Sequence, residues 1–172
     1  MYITWTLLEY PDNYSIATIL YFNGCDKNCK GCHNLELQQY NNNIPDVSIL
    51  ISDIKNYCKR SRTDKIVLCG GDPLYYKNVP LTEEILKELG DSYDICIYTG
   101  KTIEEVKKLN LSNFKFIKCG IFDINKFIGS NKTDDFIQFA SSNQELYDKD
   151  LNLLSKNGVY YYDRRNEKTI KS

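Results

Sequence analysis

The sequence has little net charge, no long apolar run and one histidine. Its formal net charge is −1, and its aromatic residues are not interleaved with basic clusters, so nothing in it favours contact with a phosphate backbone. No apolar run approaches the roughly 20 residues that span a bilayer, and residues 1–10 lack the basic and apolar regions of a secretion signal. We therefore expect no nucleic-acid partner, no membrane partner and a cytoplasmic location.

The cysteines do not have the pattern of a disulfide framework, because there are seven of them and no secretion signal precedes them. Cys25, Cys29 and Cys32 lie in one glycine-rich stretch that follows the apolar run 16–22. Three thiolates on one loop can bind three irons of a cubane cluster and leave the fourth iron open to a substrate. The remaining cysteines lie in apolar segments and are expected in the core: Cys58, Cys69, Cys96 and Cys119.

A zinc site is the alternative use of these three cysteines, with His33 as a possible fourth ligand. Structural zinc sites favour paired C-x2-C knuckles, and the sequence has no second pair. His33 also adjoins Cys32, so placing both side chains on one tetrahedral metal would strain the backbone. We expect His33 near the cluster or near the molecule bound to it.

Apolar runs alternate with segments of helical periodicity along most of the chain. Strands are predicted at 16–22, 65–69, 94–98, 114–119 and 159–163, and helices at 47–58, 82–89 and 103–109. This alternation predicts a single α/β domain, residues 1–172, with a mostly parallel sheet and flanking helices. A complete eight-stranded barrel usually needs about 250 residues. We therefore expect a partial (β/α) barrel.

Glycine-containing turns follow two of the predicted strands. Gly70 and Gly71 precede Asp72 and a proline, and Thr99 and Gly100 follow the next strand. Residues without a Cβ let the backbone approach a ligand, and backbone carbonyls there can accept hydrogen bonds from an ammonium group. Ligands of parallel sheets bind beyond the carboxyl ends of the strands. An ordinary strand-to-helix turn is the alternative for the first motif.

The cysteine loop and the Gly-Gly-Asp turn together resemble the radical S-adenosylmethionine (radical SAM) superfamily. Further stretches narrow the resemblance to the activating enzymes of anaerobic, class III ribonucleotide reductases. The resemblance covers about residues 16–147, with 148–172 as a C-terminal extension, and Glu145 stands where the family commonly has arginine. No ferredoxin-like cysteine cluster of the larger activases is inserted between Cys32 and Gly70. The additional matching stretches are 78–80, 97–100, 118–120 and 142–144.

This resemblance implies a [4Fe-4S] cluster and S-adenosylmethionine (AdoMet) as cofactors. In the family, the reduced cluster donates an electron to AdoMet, and the resulting 5′-deoxyadenosyl radical takes a hydrogen atom from a glycine in the large subunit of the reductase. The implied electron donor is of flavodoxin or ferredoxin type. The implied ligands are Cys25, Cys29 and Cys32 for the cluster, Gly70, Gly71 and Asp72 for the methionine end of AdoMet, and Tyr98, Thr99 and Gly100 for its ribose or adenine.

Two other functions stay open at this point. The chain is also compatible with a different small radical SAM enzyme, such as a pyruvate formate-lyase activase or an enzyme that modifies a small molecule. A zinc-stabilised interaction module is the non-enzymatic alternative, and it would lose its fold when the metal is chelated.

Overall fold

The computed structural model describes residues 1–7, 9–12, 16–42 and 45–162. Within these residues it has nine strands and three α-helices. None of the helices in the described part is long and apolar enough to cross a membrane. The strands are β1 (Tyr2–Thr6), β2 (Ala17–Phe22), β3 (Lys65–Gly70), β4 (Asp94–Tyr98), β5 (Phe116–Cys119), β6 (Asn131–Lys132), β7 (Phe136–Gln138), β8 (Glu145–Asp148) and β9 (Val159–Tyr161). The helices are α1 (Val47–Ser61), α2 (Val79–Leu89) and α3 (Ile103–Lys107).

Six strands form one sheet in the order β1-β2-β3-β4-β5-β8. The inner strands β2 to β5 are parallel, and the edge strands β1 and β8 are antiparallel to their neighbours. Strands β6, β7 and β9 form a small antiparallel sheet. The predicted α/β class with a mainly parallel sheet is confirmed. The described strands do not close into a barrel, since β1 and β8 remain as edges.

The helices begin where local side chains satisfy their first N–H groups. Asp46 caps α1 by accepting from Ser48 N at 2.8 Å. Thr102 and Glu105 form the capping box at the start of α3. Helix α2 begins three residues earlier than predicted, because the proline after Val79 suits the first turn of a helix.

The sequence analysis missed four strands, and it placed some element ends one or two residues away from those observed. It did not identify β1, β6, β7 or β8, which are short or antiparallel and lack the long apolar runs of the central strands. Helix α3 ends at Lys107 rather than at 109, and β5 begins at Phe116 rather than at 114. The strand predicted at 159–163 is observed as β9, and Asp163 with the rest of the C-terminal extension lies outside the described residues.

All three helices pack against one face of the main sheet, so the predicted flanking helices lie on a single side. The opposite face carries a smaller apolar cluster built around Tyr10, Ile19 and Val67, and the small sheet packs beside it. The four cysteines predicted in the core are buried. The helix-side core of the sheet consists of Leu20, Phe22, Ile66, Leu68, Ile95, Ile97, Ile117, Cys119 and Tyr147.

Candidate cofactor site at the carboxyl edge of the sheet

A cavity of about 340 Å³ opens at the carboxyl ends of the parallel strands, on the face that the helices leave uncovered. Its size falls within the usual range of small-molecule sites. All three cysteines of the predicted cluster loop line it, and so do Gly70 and Gly71. Every predicted site residue except Asp72 thus lines the cavity. The other predicted residues that line the cavity are His33, Tyr98, Thr99 and Gly100.

The cysteine loop, residues 24–34, has no helix or strand and is held in place by backbone hydrogen bonds. Gly24 N donates to Leu37 O at 2.7 Å, and Cys25 N donates to Gln38 O at 3.0 Å. Another backbone hydrogen bond, 3.1 Å long, closes the turn between the second and third cysteines. The loop is therefore anchored at its start to the short turn that follows it.

The donor set of this loop fits an iron–sulfur cluster. Its three thiols are unpaired and half-buried, and thiolates are the ligands that such clusters use. Burial raises the pKa of Cys25, while the N–H of Lys27, 3.5 Å from its sulfur, lowers it. Metal coordination would favour the thiolate. Within the described ranges, no three His, Cys, Asp or Glu side chains converge as they would around a single metal ion.

His33 lies at the exposed rim of the cavity, directly after the third cysteine. Its ring packs against Phe122, with 5.4 Å between the ring centroids. This contact joins the cysteine loop to the segment that follows β5. His33 therefore lies in the cysteine loop at the edge of the cavity, and its role near a cluster stays a prediction.

The Gly70–Gly71 turn is packed directly onto the backbone that leads into the cysteine loop. Gly71 N donates to Phe22 O at 2.9 Å, and Asp72 N donates to Gly24 O at 2.8 Å. Gly70 has a φ of +107°, and a Cβ on Gly71 would lie 2.5 Å from Gly24 O. Only glycine allows this approach. The two motifs therefore form one structural unit.

Asp72 is the predicted AdoMet residue whose side chain the structure directs away from the cavity. The carboxylate is buried and accepts from Leu74 N at 2.8 Å, from Thr99 Oγ1 at 2.8 Å and from Gly100 N at 3.0 Å. Burial raises the pKa of Asp72, and these hydrogen bonds lower it. The side chain ties the first glycine turn to the end of β4, so any contact of Asp72 with a cofactor would come from its backbone.

The floor of the cavity combines Tyr98, a predicted site residue, with Tyr21, Cys69 and Lys118, which the sequence analysis did not assign to a site. Tyr21 pairs with Cys69, and Tyr98 pairs with Lys118, at neighbouring positions across four parallel strands. All four line the cavity. Strand alternation was the available signal, because Cys69 and Lys118 each follow a residue that faces the helices. Cys119, which follows Lys118, faces the helix side.

Two amides from the matching stretches stabilise the loops around the cavity. The buried Asn78 donates to Asn23 O at 2.9 Å and to Asp72 O at 2.8 Å, which joins α2 to both motifs. The buried Gln144 lies 3.5 Å from Gly120 O and lines the cavity itself. The sequence analysis recognised these stretches without giving them a structural role.

Residues 15–147 match the family model described as a 4Fe-4S single cluster domain, and the chain belongs to that family. The match begins before the cysteine loop and ends within β8, so it covers the whole cavity floor and both glycine turns. No solved structure gives a significant match.

Several relatives have names that state an activity. The chain is 29% identical over 134 residues to the anaerobic ribonucleoside-triphosphate reductase-activating protein of Escherichia coli K12, covering 74% of this chain and 85% of that protein. The enterobacteria phage T4 protein of the same name is 28% identical over 112 residues, 62% of this chain and 70% of its own length. A Methanocaldococcus jannaschii protein, provisionally named a glycyl-radical enzyme activating enzyme, is 27% identical over 158 residues, 89% of this chain and 61% of its own length.

Proposed function

We propose that this chain is a radical SAM oxidoreductase that generates the glycyl radical of an anaerobic ribonucleotide reductase. The observation that carries the proposal is the junction of the three-cysteine loop with the Gly70–Gly71 turn at the mouth of one cavity. A cluster with an open iron must lie next to the molecule that it reduces. Membership of a 4Fe-4S family and the names of the relatives support the same conclusion.

The residues around the cavity have separate roles in this proposal. When bound, a reduced [4Fe-4S] cluster and AdoMet supply methionine and a 5′-deoxyadenosyl radical, which takes a hydrogen atom from the Cα of a glycine in the reductase. The backbone of Gly70, Gly71 and Asp72 binds the methionine end, and Asp72 positions the rim through Thr99 and Gly100. The proposed cluster ligands are Cys25, Cys29 and Cys32, the proposed ribose or adenine contacts are Tyr98, Thr99 and Gly100, and His33 lies beside the cluster.

The chemistry asks the protein to orient the cofactors and keep water away from a reactive intermediate, and it requires no general acid or base. The cavity suits this task, since its floor lies against the sheet and its lining includes the aromatic rings of Tyr98 and Phe139, which pack edge to face. Thr99 donates its hydroxyl hydrogen to Asp72, which holds the end of β4 against the glycine turn. The rim is thus fixed by the chain's own hydrogen bonds.

The fold and the partners complete the proposal. We assign the six-stranded sheet to a partial barrel of radical SAM type within a single domain, with the proposed cofactors bound on its inner face. The protein substrate is the large subunit of the reductase. The electron comes from a flavodoxin- or ferredoxin-type donor, which implies a reducing compartment such as the cytoplasm.

Anaerobic reconstitution with iron and sulfide, followed by electron paramagnetic resonance, tests the cofactor assignment. The dithionite-reduced protein should give a [4Fe-4S] signal whose shape changes when AdoMet is added. A Cys29→Ser variant, prepared in parallel, should give no such change. A protein that takes up stoichiometric zinc and no cluster would refute the radical SAM assignment and support the interaction module.

The protein substrate is tested with the large subunit of an anaerobic ribonucleotide reductase. The doublet of a glycyl radical should appear on this subunit only when the chain, AdoMet and reductant are all present. Pyruvate formate-lyase, used in the same assay, is the control for the alternative activase. A doublet on the lyase and none on the reductase would transfer the assignment to that enzyme.

A further inference from the structure

Lys118 places an ammonium group on the cavity floor, where no carboxylate of the described residues forms an ion pair with it. Its Nζ lies 4.5 Å from the ring centroid of Tyr98 and 5.7 Å from that of Phe139. Among the described residues, none forms an ion pair or a hydrogen bond with this Nζ. Glu9 lines the same cavity and attracts the ammonium at longer range. The cation is therefore held between two aromatic rings and faces the space that a ligand would fill.

The position of Lys118 in the sheet brings it close to the proposed AdoMet site. It pairs with Tyr98 across β4 and β5, and its carbonyl accepts from Thr99 N at 2.9 Å. The lysine thus stands one position below the rim formed by Thr99 and Gly100. Its long stem and three N–H donors allow the ammonium to follow a ligand placed above the floor.

Other partly buried lysines near the cavity and the sheet are paired. The ammonium of Lys27 lies 3.3 Å from Glu105, and that of Lys65 lies 3.2 Å from Asp12. Lys132, which lines the same cavity, donates to Tyr10 O at 2.7 Å. Lys118 differs from these lysines because no described residue lies close enough to its ammonium to form an ion pair or a hydrogen bond, and Glu9 attracts it only at longer range.

An unpaired ammonium in a partly dry cavity is unfavourable, and burial lowers the pKa of Lys118 accordingly. A ligand with an anionic group would remove this cost. AdoMet carries one such group, the α-carboxylate, beside its cationic ammonium and sulfonium. We propose that Lys118 binds the α-carboxylate of AdoMet, an inference that rests on the proposed function and adds a cofactor-binding residue to it.

Equilibrium binding of AdoMet and of decarboxylated AdoMet, measured anaerobically on the reconstituted protein without reductant, tests this assignment. Lys118→Met keeps most of the unbranched side chain and removes the ammonium group. It should weaken AdoMet binding about 10- to 100-fold, the usual value of a hydrogen bond to a charged group, and leave the analogue unchanged. Equal weakening of both ligands, or no weakening of either, would overturn the proposal.

Two matched variants sharpen the result. Lys118→Arg should recover a large part of the AdoMet affinity, because it restores a cation. Lys132→Met removes a lysine of the same cavity that already has a carbonyl partner, and it should change neither affinity. A Lys132→Met variant that selectively loses AdoMet would assign the carboxylate to Lys132 instead.

Lysine labelling by reductive methylation provides a measurement on the wild-type protein. AdoMet should protect Lys118 from methylation, as read by mass spectrometry, and decarboxylated AdoMet should protect it much less. Equal protection by both ligands would contradict a carboxylate contact. If the wild-type protein binds neither ligand and carries no cluster, the proposed function itself fails, and this outcome differs from every outcome that concerns Lys118 alone.

Discussion

The two faces of the main sheet have different compositions, and strand β5 shows the contrast within four residues. Ile117 and Cys119 point toward the helices and are almost completely buried in an apolar core. Phe116 and Lys118 point to the other side, where Lys118 forms part of the cavity floor. The helix face is mainly apolar and its few polar groups, such as the Thr18 hydroxyl beside Cys58, are buried, whereas the cavity face carries the ammonium group of Lys118. Stability and chemistry are thus assigned to opposite sides of the same strands.

The cysteines follow the same division. Those of the cluster loop are half-buried and line the cavity, whereas Cys58 and Cys119 lie on the helix side. Burial raises the pKa of Cys119 to about 12 and also raises that of Cys58, so both remain thiols at neutral pH. Cys69 lies on the cavity floor, where burial likewise raises its pKa. Position in the fold, rather than the number of cysteines, therefore separates the proposed ligands from the core.

The largest difference between the two faces is expected from cysteine substitutions. Cys29→Ser should abolish cluster assembly and AdoMet cleavage, because one of three proposed iron ligands is lost. Cys58→Ala on the helix face removes a thiol that lies 3.3 Å from Thr18 Oγ1 and should cost only about 1 kcal/mol of stability. Iron and sulfide analysis with electron paramagnetic resonance reads the first effect, and denaturant unfolding reads the second. A Cys29→Ser protein that still carries a full complement of iron and sulfide would contradict the separation of cluster-binding and core cysteines.

Neighbouring residues of β4 provide a comparison of stability. Ile97 faces the helices and is fully buried, so Ile97→Ala should lower the free energy of unfolding by about 2–5 kcal/mol. Tyr98 faces the cavity, and Tyr98→Phe removes the hydroxyl that donates to Glu9 O, a loss of about 0.5–1.5 kcal/mol. Anaerobic urea unfolding of the metal-free protein measures both. Equal losses would show that the cavity face carries as much of the stability as the helix face.

Asp72 lies where the two faces meet, and its protonation should be visible in stability. Burial raises its folded pKa above the unfolded value, so the charged form is disfavoured in the folded state. Wild-type stability should therefore fall, relative to Asp72→Asn, as pH rises from about 4 through the folded pKa, by about 1.4 kcal/mol per unit of difference. Urea unfolding of the metal-free protein from about pH 3 to about pH 8 measures this change in stability, because that range brackets a raised carboxyl pKa.

Asp46 is the matched control, because its pKa is shifted in the direction opposite to that of Asp72. Hydrogen bonds from Ser48 lower the pKa of its carboxyl, so its contribution to stability is present above the unfolded pKa and is lost as pH falls through the folded pKa. As pH rises, the stability of the wild-type protein should therefore increase relative to Asp46→Asn, whereas it should decrease relative to Asp72→Asn. The same sign for both variants would mean that Asp72 is not desolvated as the structure indicates.

Elements with long, regular patterns could be predicted from the sequence. Helix α1 has a repeating apolar stripe and an Asp cap, and the central strands are apolar because both faces are covered. Strands β6 and β8 have two and four residues, and each forms by pairing with a partner that local sequence does not reveal. Prediction therefore succeeded for elements with a long apolar pattern, and the strands that it missed, such as β6 and β8, are short and depend on their pairing partners.

The residues of the candidate site also divide into those that the sequence could predict and those that it could not. Cys25 and Gly70 could be identified because their spacing and conformational freedom are visible in the sequence itself. The inward position of Asp72 could not, since its partner Thr99 lies 27 residues away and meets it only when β3 and β4 align. Lys118 also depends on register, because a shift of one residue would move it to the helix face. Motifs thus identified the two loops, and the sheet register decided which side chains meet between them.

The smallest expected effect is at the start of α3. Thr102 Oγ1 accepts from Glu105 N at 3.3 Å, and Glu105 Oε2 accepts from Thr102 N at 2.7 Å. Thr102→Ala removes one half of this capping box and should lower the free energy of unfolding by about 1 kcal/mol, with AdoMet affinity unchanged. Urea unfolding and equilibrium AdoMet binding measure the two quantities. Glu105 also pairs with Lys27 of the cysteine loop. A loss of AdoMet affinity in Thr102→Ala would therefore show that this ion pair couples the stability of α3 to the proposed cluster site. The helix face and the cavity face would then not be independent.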